Sequence, residues 1–184
     1  MRRVLILTLV AAAVVAAAFV LTRPDPGPTL QFDATVPDDL RAVAVEAWDG
    51  FLGAHPARVD CIDPINMSAA WELGARAEYH PATATLVIRV PGTAPNLTND
   101  LTHEFAHHVE FTCPEHEELR PAFLAAQGFP ASAEWFGGDS WESTPSEQYA
   151  EATAEAVLGR RAHHGGILLS DEAVDAVRQW GSGS

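Results

Sequence analysis

The chain has 184 residues, which is enough for one domain once its N-terminal segment is set aside. Its formal net charge is −14, and all 11 of its basic residues are arginines. Without Arg2 and Arg3, which belong to the N-terminal segment, 9 basic residues stand against 25 acidic ones, for a net charge of −16. So acidic a surface argues against binding to nucleic acid and against direct adsorption to anionic lipid.

The N-terminus has the pattern of an export or membrane segment. A basic start followed by 18 mostly apolar residues, Val4–Leu21, is typical of a signal peptide or of a single membrane anchor at residues 1–22. Ala16–Ala18 offer small residues for cleavage, but the apolar run continues beyond them, which favours an uncleaved anchor with its basic end in the cytoplasm. In either case we expect the rest of the chain outside the cytoplasm, membrane-anchored or secreted.

Cys61 and Cys113 are the two cysteines of the chain, and in an oxidising compartment they fit one disulfide. The alternatives are two free thiols, or Cys113 as a metal ligand. A bridge would tie a segment ahead of the predicted sheet to the end of the helix predicted at 97–111.

Five segments have the apolar periodicity and the end signals of helices. They cover residues 38–53, 97–111, 115–127, 144–160 and 170–180. The second of these has an apolar stripe, Leu101, Phe105 and Val109, which we expect to face the core. Residues 128–143 are irregular, and the C-terminal Gly-Ser tail is expected to fray.

The strand signals lie mainly ahead of the second helix. Residues 74–80 and 83–90 predict two strands joined by a tight turn, and residues 58–62 predict another short strand. The proline-rich residues 23–36 predict an extended linker. The second strand, 83–90, lies directly ahead of the helix at 97–111 and is expected to form a sheet edge that could hydrogen-bond to an extended peptide. An ordinary core strand is the alternative, and both can hold because one strand of the pair must be an edge. We therefore expect an α+β domain at 37–184, with a short mixed or antiparallel sheet packed on the helix at 97–111 and further helices C-terminal to it.

The most informative motif is Thr-His-Glu-Phe-Ala-His-His at residues 102–108. His103 and His107 are one helical turn apart on one face, so both imidazoles can point at a single metal ion. Glu104 lies about 100° further round the helix, where it can contact a metal-bound water but is poorly aimed to ligate the metal. This H-E-x-x-H arrangement predicts a zinc hydrolase with Glu104 as general base. The alternative is a surface helix with two satisfied histidines.

A catalytic zinc ion takes three protein ligands and keeps one position open for water. A histidine six residues beyond His107 would complete a metzincin site, but Cys113 stands there. The remaining pattern takes a glutamate from a later helix, and Glu147 and Glu151 share one face there, 40 and 44 residues beyond His107. The other candidates for third ligand are Glu110, Glu155 and His116.

The motifs His-Glu-Phe-Ala-His at 103–107 and Glu-Gln-Tyr-Ala-Glu at 147–151 resemble the gluzincin branch of the zincin metallopeptidases. They are especially similar to the catalytic domain of the anthrax lethal factor group, which has H-E-F-G-H followed by E-F-F-A-E. The resemblance covers roughly residues 74–158. It implies a small zincin-like fold, Zn²⁺ as cofactor and Glu147 as third ligand. It also implies Glu151 as a carboxylate that hydrogen-bonds a ligand histidine and fixes its tautomer.

The chain departs from that group at the residue that stabilises the oxyanion. The group has a tyrosine seven residues before its ligand glutamate, whereas Ser140 stands here. Tyr149 would point about 200° away from Glu147 around the helix, so we expect it in the core. The role stays unassigned among Trp141, Tyr149, Tyr79, His80, His163 and His164.

The expected function is that of a monomeric zinc peptidase acting on a peptide or protein substrate. The alternative is a non-catalytic, zinc-stabilised domain that binds a peptide or protein partner. Glu104 counts against this alternative, because a purely structural site has no need of a base. Metal buffering is a weaker alternative, since the eight histidines are scattered along the chain.

Overall fold

The computed structural model describes residues 27–162 and 166–184. The predicted N-terminal anchor or signal peptide at 1–22, the start of the predicted linker, and His163 and His164 lie outside the described residues. Within them, no helix combines the length and the apolar character needed to cross a membrane. Five α-helices occupy this part of the chain: α1 (Asp38–Ala54), α2 (Ala94–Thr112), α3 (His116–Gln127), α4 (Pro145–Leu158) and α5 (Asp171–Ser182).

One four-stranded sheet lies in the described part of the chain. Its strands are β1 (Leu30–Phe32), β2 (Ile65–Ala70), β3 (Ala77–His80) and β4 (Thr85–Arg89). The order across the sheet is β1-β2-β4-β3. β2 pairs in parallel with both β1 and β4, whereas β3 and β4 are antiparallel. The predicted α+β class with a short mixed sheet is therefore confirmed.

The predicted pair of strands forms the antiparallel part of the sheet. Ala77 lies opposite Ile88, and a 3-10 turn at Pro81–Thr83 connects the two strands. Leu86 and Ile88 of β4 are fully buried, and β4 lies inside the sheet between β2 and β3. The expectation that residues 83–90 form the edge is therefore wrong, and the edge strand of the pair is β3.

The expectation of a linker at 23–36 is wrong for Leu30–Phe32, which form β1. Leu30 and Phe32 are half-buried and the residue between them is exposed, which is the alternation of a strand with one face on the core. The strand β2 is a further difference from the sequence-based expectation, and its buried positions are only Ile65 and Met67 at its start. Both strands are short and depend on a paired neighbour more than on local propensity.

Residues 58–62, expected to be a short strand, instead form a 3-10 turn at Val59–Cys61. The guanidinium of Arg58 lies over the Trp180 ring at 4.7 Å, and its Nε donates to the Trp180 carbonyl oxygen. Cys61 follows in this turn and is disulfide-bonded to Cys113, with 4.9 Å between the Cα atoms. Contacts with distant parts of the chain therefore decide the local conformation.

The last helix continues to Ser182, so the expected frayed tail is wrong. Gly181 permits this close packing, because a Cβ at that position would lie 2.8 Å from both the carbonyl oxygen of Ala54 and the ring of His55. The Gly181 carbonyl also accepts a hydrogen bond from the Ala57 N–H. The C-terminal turn is thus held against the end of α1.

The apolar stripe of α2 packs as predicted, since Leu101, Phe105 and Val109 are all fully buried. Trp48 of α1 meets the Phe105 ring edge-on, with 4.7 Å between ring centroids. This packing fixes the rotation of α2 about its own axis. The polar face of the helix, with the two motif histidines, is therefore directed away from α1.

Removing the disulfide should destabilise the domain. Cys61 and Cys113 are 52 residues apart, so replacing both by serine should lower the free energy of unfolding by about 4 kcal/mol in the chain-entropy model. Urea unfolding followed by tryptophan fluorescence measures the change, and reduction of the parent protein should reproduce it. A loss below about 1 kcal/mol would show that the bridge contributes little.

His55 should make the domain less stable in mild acid. Burial is the main cause that lowers its pKa from 6.5 to about 4, so the unfolded chain binds a proton at a higher pH than the folded one. The stability that the neutral ring contributes is complete above pH 6.5 and is lost as the pH falls from 6.5 toward 4. The loss should be on the order of 3 kcal/mol.

The measurement is the slope of the unfolding free energy against pH in metal-free protein. His55→Phe should reduce the slope between pH 6.5 and 4 without removing it, because burial also lowers the pKa of His116, to about 3. Replacement of the exposed His80 by glutamine should leave the slope unchanged. An equal slope in the His55→Phe protein would contradict the assignment to His55.

Candidate metal centre

The helix α2 brings the two motif histidines together. Thr93 precedes its first turn, Pro95 lies within that turn, and no glycine interrupts the helix as far as Thr112. His103 and His107 are therefore held on successive turns, and their Nε2 atoms lie 3.1 Å apart.

Glu147, in the first turn of α4, approaches both rings from a separate helix. Its Oε2 lies 3.1 Å from His103 Nε2 and 3.4 Å from His107 Nε2. Ligand atoms about 2.0–2.1 Å from a tetrahedral zinc ion are about 3.3–3.4 Å apart. The triangle formed by the three atoms therefore has the size of one face of a zinc coordination shell, and the residues present fit the ion that the motif implies.

Glu151, one turn after Glu147 in α4, contacts the far side of His103. Its Oε1 lies 3.2 Å from His103 Nδ1, and its Oε2 accepts a hydrogen bond from Arg161 Nη1 at 3.0 Å. The resemblance to the lethal factor group implies a carboxylate in this position. The contact orients the ring of His103 so that Nε2 faces Glu147.

Glu110 gives His107 an equivalent partner, a role that the sequence alone does not predict. Its Oε1 lies 2.7 Å from His107 Nδ1. Trp135 Nε1 donates to Oε2 at 2.7 Å, and Ser146 Oγ donates to both carboxylate oxygens. The carboxylate thus contacts the outer nitrogen of His107 and is not placed as third ligand. In the sequence, the available signal for this role is the spacing of three residues between His107 and Glu110, which makes them neighbours on the helix surface.

The other candidates for third ligand also lie away from the two Nε2 atoms. Glu155 pairs with Arg161 Nε at 3.0 Å. His116 is fully buried among aromatic rings, and Cys113 is in the disulfide. Two groups of potential metal ligands occur among the described residues. One contains the two disulfide-bonded cysteines, and the other is His103, His107 and Glu147.

Hydrogen bonds on the outer side of each ring determine where the imidazole lone pairs point. Each Nδ1 lies beside a carboxylate oxygen, so a neutral ring carries its proton on Nδ1 and leaves Nε2 as an acceptor. Two Nε2 lone pairs and one carboxylate oxygen therefore face each other. Three converging acceptors are a binding site for a cation.

The pKa values of His103, His107 and Glu147 are shifted by the contacts among these same groups. Burial alone would lower the pKa of His103, but hydrogen bonds to Glu147 and Glu151 outweigh it and raise the pKa to about 9. Burial likewise opposes the charged form of His107, yet contacts with Glu110 and Glu147 raise its pKa well above the usual value. Burial would raise the pKa of Glu147, but the two histidines hold it well below its usual range. The surroundings thus favour positive charge between these groups.

Glu104 lies in the wall of the cleft and is only 7% exposed. Burial is the main cause that raises its pKa, and attraction to the two histidines opposes the shift. A carboxylate with a raised pKa accepts a proton more readily than an ordinary one. Its environment therefore suits the predicted role of general base.

Two cavities open on either side of His103 and Glu104. One, of about 470 Å³, is lined by all three candidate ligands and by β3. The other, of about 310 Å³, is lined by Arg76, Asp100 and Glu151. Ala77 of the edge strand β3 lines both cavities, and the rest of β3 lines the one of about 470 Å³.

A larger cavity, of about 830 Å³, lies between α1 and the ends of α2 and α4. Its lining includes Glu46, Arg160 and Arg161 but none of the candidate ligands. The candidate site is therefore chosen by the chemistry of its donor atoms and not by the size of a cavity.

The structure reduces the set of candidate oxyanion donors. Tyr149 is fully buried, as expected. His108 Nε2 donates to the Asp63 carbonyl oxygen at 2.8 Å, which leaves Nδ1 to accept the hydroxyl proton of Tyr79 at 2.8 Å. The Tyr79 hydroxyl therefore donates its proton to His108 and not to an oxyanion. Among the described residues, the remaining candidates that border the cleft are Trp141 and His80, whose Nε2 lies 3.9 Å from the Glu78 carboxylate.

Comparisons with protein-family models, with curated proteins and with solved structures found no significant match. The resemblance to the zincins rests on the two short motifs and stays a prediction. The assignment of the site therefore depends on its own geometry and chemistry.

The protein should bind one zinc ion tightly. Calorimetric titration of metal-free protein should give a stoichiometry of one, and both His107→Ala and Glu147→Ala should abolish tight binding because each removes a ligand atom. Glu110→Gln should weaken binding by about 10–100-fold, because it removes the charge that orients His107. The exposed Glu118→Gln is the matched control and should bind as the parent does. Several weak sites in place of one would favour metal buffering.

Proposed function

We propose that this domain is a zinc-dependent peptidase of the gluzincin type. The observation that carries the proposal is the convergence of His103 Nε2, His107 Nε2 and Glu147 Oε2 within 3.4 Å in the wall of an open cleft. Structural zinc sites are usually closed by four protein ligands, whereas hydrolytic sites have three and an open position. Three ligands beside a cleft therefore favour hydrolysis.

The proposed chemistry assigns a separate task to each side chain. Zinc bound here would supply a water of lowered pKa and a Lewis acid for the scissile carbonyl. Glu104 takes a proton from the attacking water and returns it to the nitrogen of the leaving amine as the C–N bond breaks. The carboxylate is thereby regenerated. Glu110 and Glu151 keep the imidazole protons on Nδ1, so that both Nε2 atoms stay available as ligands.

The position of β3 supports a peptide as the substrate. An edge strand has backbone groups that can pair with an added strand, and β3 borders the cleft at Ala77. An extended peptide paired with it would pass Glu104, with one cavity on each side of that residue. The two cavities would accept side chains on either side of the scissile bond.

We also propose that the domain acts outside the cytoplasm. The disulfide between Cys61 and Cys113 supports this proposal, since such bonds persist in oxidising compartments. The apolar residues 4–21 would serve as a membrane anchor or as a signal peptide.

Glu104→Gln should bind zinc with unchanged stoichiometry but lose hydrolysis by about 10²–10⁴-fold, because the amide cannot accept the proton of the attacking water. Incubation with a peptide mixture, followed by mass spectrometry of the new termini, measures cleavage whatever residues the enzyme prefers around the scissile bond. Zinc content is measured on the same samples.

Glu118→Gln is the matched control and should cleave at the parental rate, because Glu118 is exposed on α3 and lines neither cavity of the cleft. Cleavage by Glu104→Gln at the parental rate would refute the mechanism. A zinc-loaded parent protein that binds peptides and cleaves none would favour the non-catalytic domain instead.

A further inference from the structure

Two phenylalanine side chains are unusually exposed beside the candidate metal centre. Phe111, in the last turn of α2, is 48% exposed, and Phe136, in the irregular segment before α4, is 54% exposed. By contrast, Phe51, Phe105 and Phe123 are fully buried. Exposure of large apolar side chains next to each other is a mark of a contact surface.

The two exposed rings are held in a fixed arrangement. They stack with 5.2 Å between centroids and 12° between planes. The guanidinium of Arg120 lies 5.6 Å from the Phe136 centroid, and the Tyr79 ring lies 6.1 Å from that of Phe111. Tyr79 is itself held by its hydrogen bond to His108. Tyr79, Phe111 and Phe136 therefore form a preorganised aromatic shelf built from three separate segments.

The aromatic shelf lies in the same cavity of about 470 Å³ as His107 and Glu147. The lining of that cavity carries groups of both signs, among them Glu78, Glu104 and His80, so its charge does not by itself select an ionic side chain. A flat, apolar side chain would gain contact with the rings and meet no repulsion. Continuity with the proposed metal site identifies the occupant as part of the molecule that reaches the metal.

We propose that the aromatic shelf binds an aromatic or large aliphatic side chain of the peptide substrate, next to the bond that is cleaved. This inference rests on the proposed function, since it places the side chain in the cavity of the metal site. It defines the substrate class as peptides with a bulky apolar residue on one side of the scissile bond.

Zinc-directed hydroxamates test the aromatic shelf without the natural substrate. In one series the side chain is attached through the carbonyl carbon of the hydroxamate, and in the other, of N-formyl-N-hydroxylamines, it is attached through the nitrogen. The two series therefore direct the side chain to opposite sides of the metal-binding group and explore both halves of the cleft. Each series is made with a benzyl, a methyl and a carboxymethyl side chain. Their dissociation constants are measured on the zinc-loaded full chain.

In one of the two series the benzyl compound should bind about tenfold more tightly than the methyl compound, because burial of the ring removes apolar surface from water. The carboxymethyl compound should bind more weakly than the benzyl compound, because a carboxylate gains no apolar contact with the rings. Phe111→Ala and Phe136→Ala should each reduce the benzyl preference to less than about threefold. Leu168→Ala, at an exposed apolar residue outside the cavity, should leave the preference unchanged.

The measurements distinguish a failure of the aromatic shelf from a failure of the proposed metal site. Equal binding of benzyl and methyl compounds in both series, or an unchanged preference in both phenylalanine variants, would overturn the aromatic shelf and leave the peptidase proposal intact. Failure of every hydroxamate to bind zinc-loaded protein would overturn the accessible metal site, and the shelf with it. Light scattering on the parent and the variants adds a further check, since a dimer that dissociates in Phe111→Ala or Phe136→Ala would identify a second copy as the occupant.

Discussion

The site depends on three hydrogen-bond acceptors held 3.1–3.4 Å apart. Two imidazole nitrogens and a carboxylate oxygen at these distances repel each other unless positive charge lies between them. Burial opposes ionisation of all three groups, yet the pKa of each histidine is raised and that of Glu147 is lowered. A proton on one ring can be shared with one neighbour, whereas a divalent ion contacts all three atoms at once. The arrangement therefore suits a metal ion better than protons.

The two candidate histidine ligands are supported in different ways. Glu110 lies on the same helix as His107 and receives hydrogen bonds from the neutral donors Trp135 and Ser146, whereas Glu151 lies on α4 and is paired with Arg161. The distance from Glu110 Oε1 to His107 Nδ1 is 2.7 Å, whereas that from Glu151 Oε1 to His103 Nδ1 is 3.2 Å. Because α4 carries both Glu147 and Glu151, displacement of this helix would remove a ligand and a ring partner together. His103 and His107, which both lie on α2, would stay together. Assembly of the site therefore depends on the position of α4.

Local periodicity was enough to predict the part of the site that lies on one helix, since the positions of His103 and His107 follow from the helical repeat. Glu147 was selected through the resemblance, because spacing along the chain does not determine which helices pack together. The role of Glu110 requires Trp135 and Ser146, which are 25 and 36 residues away. The strand β1 was missed for the same reason, because it depends on a contact with a distant segment. Its three residues have no strand pattern strong enough to outweigh the neighbouring prolines, and the pairing with β2 makes them a strand.

The disulfide connects the stability of the domain with the geometry of the cleft. Cys113 ends α2, directly after the turn that contains Glu110 and Phe111. Buried carboxylates such as Glu110 and Glu151 cost desolvation free energy even when they are hydrogen-bonded, and a domain of this size buries limited apolar surface to offset that cost. A cross-link acts mainly on the unfolded chain, so it offsets part of the cost without placing further groups in the cleft. Its position at the end of α2 also keeps Glu110, which contacts the ring of His107, and Phe111, one ring of the proposed aromatic shelf, on a fixed turn.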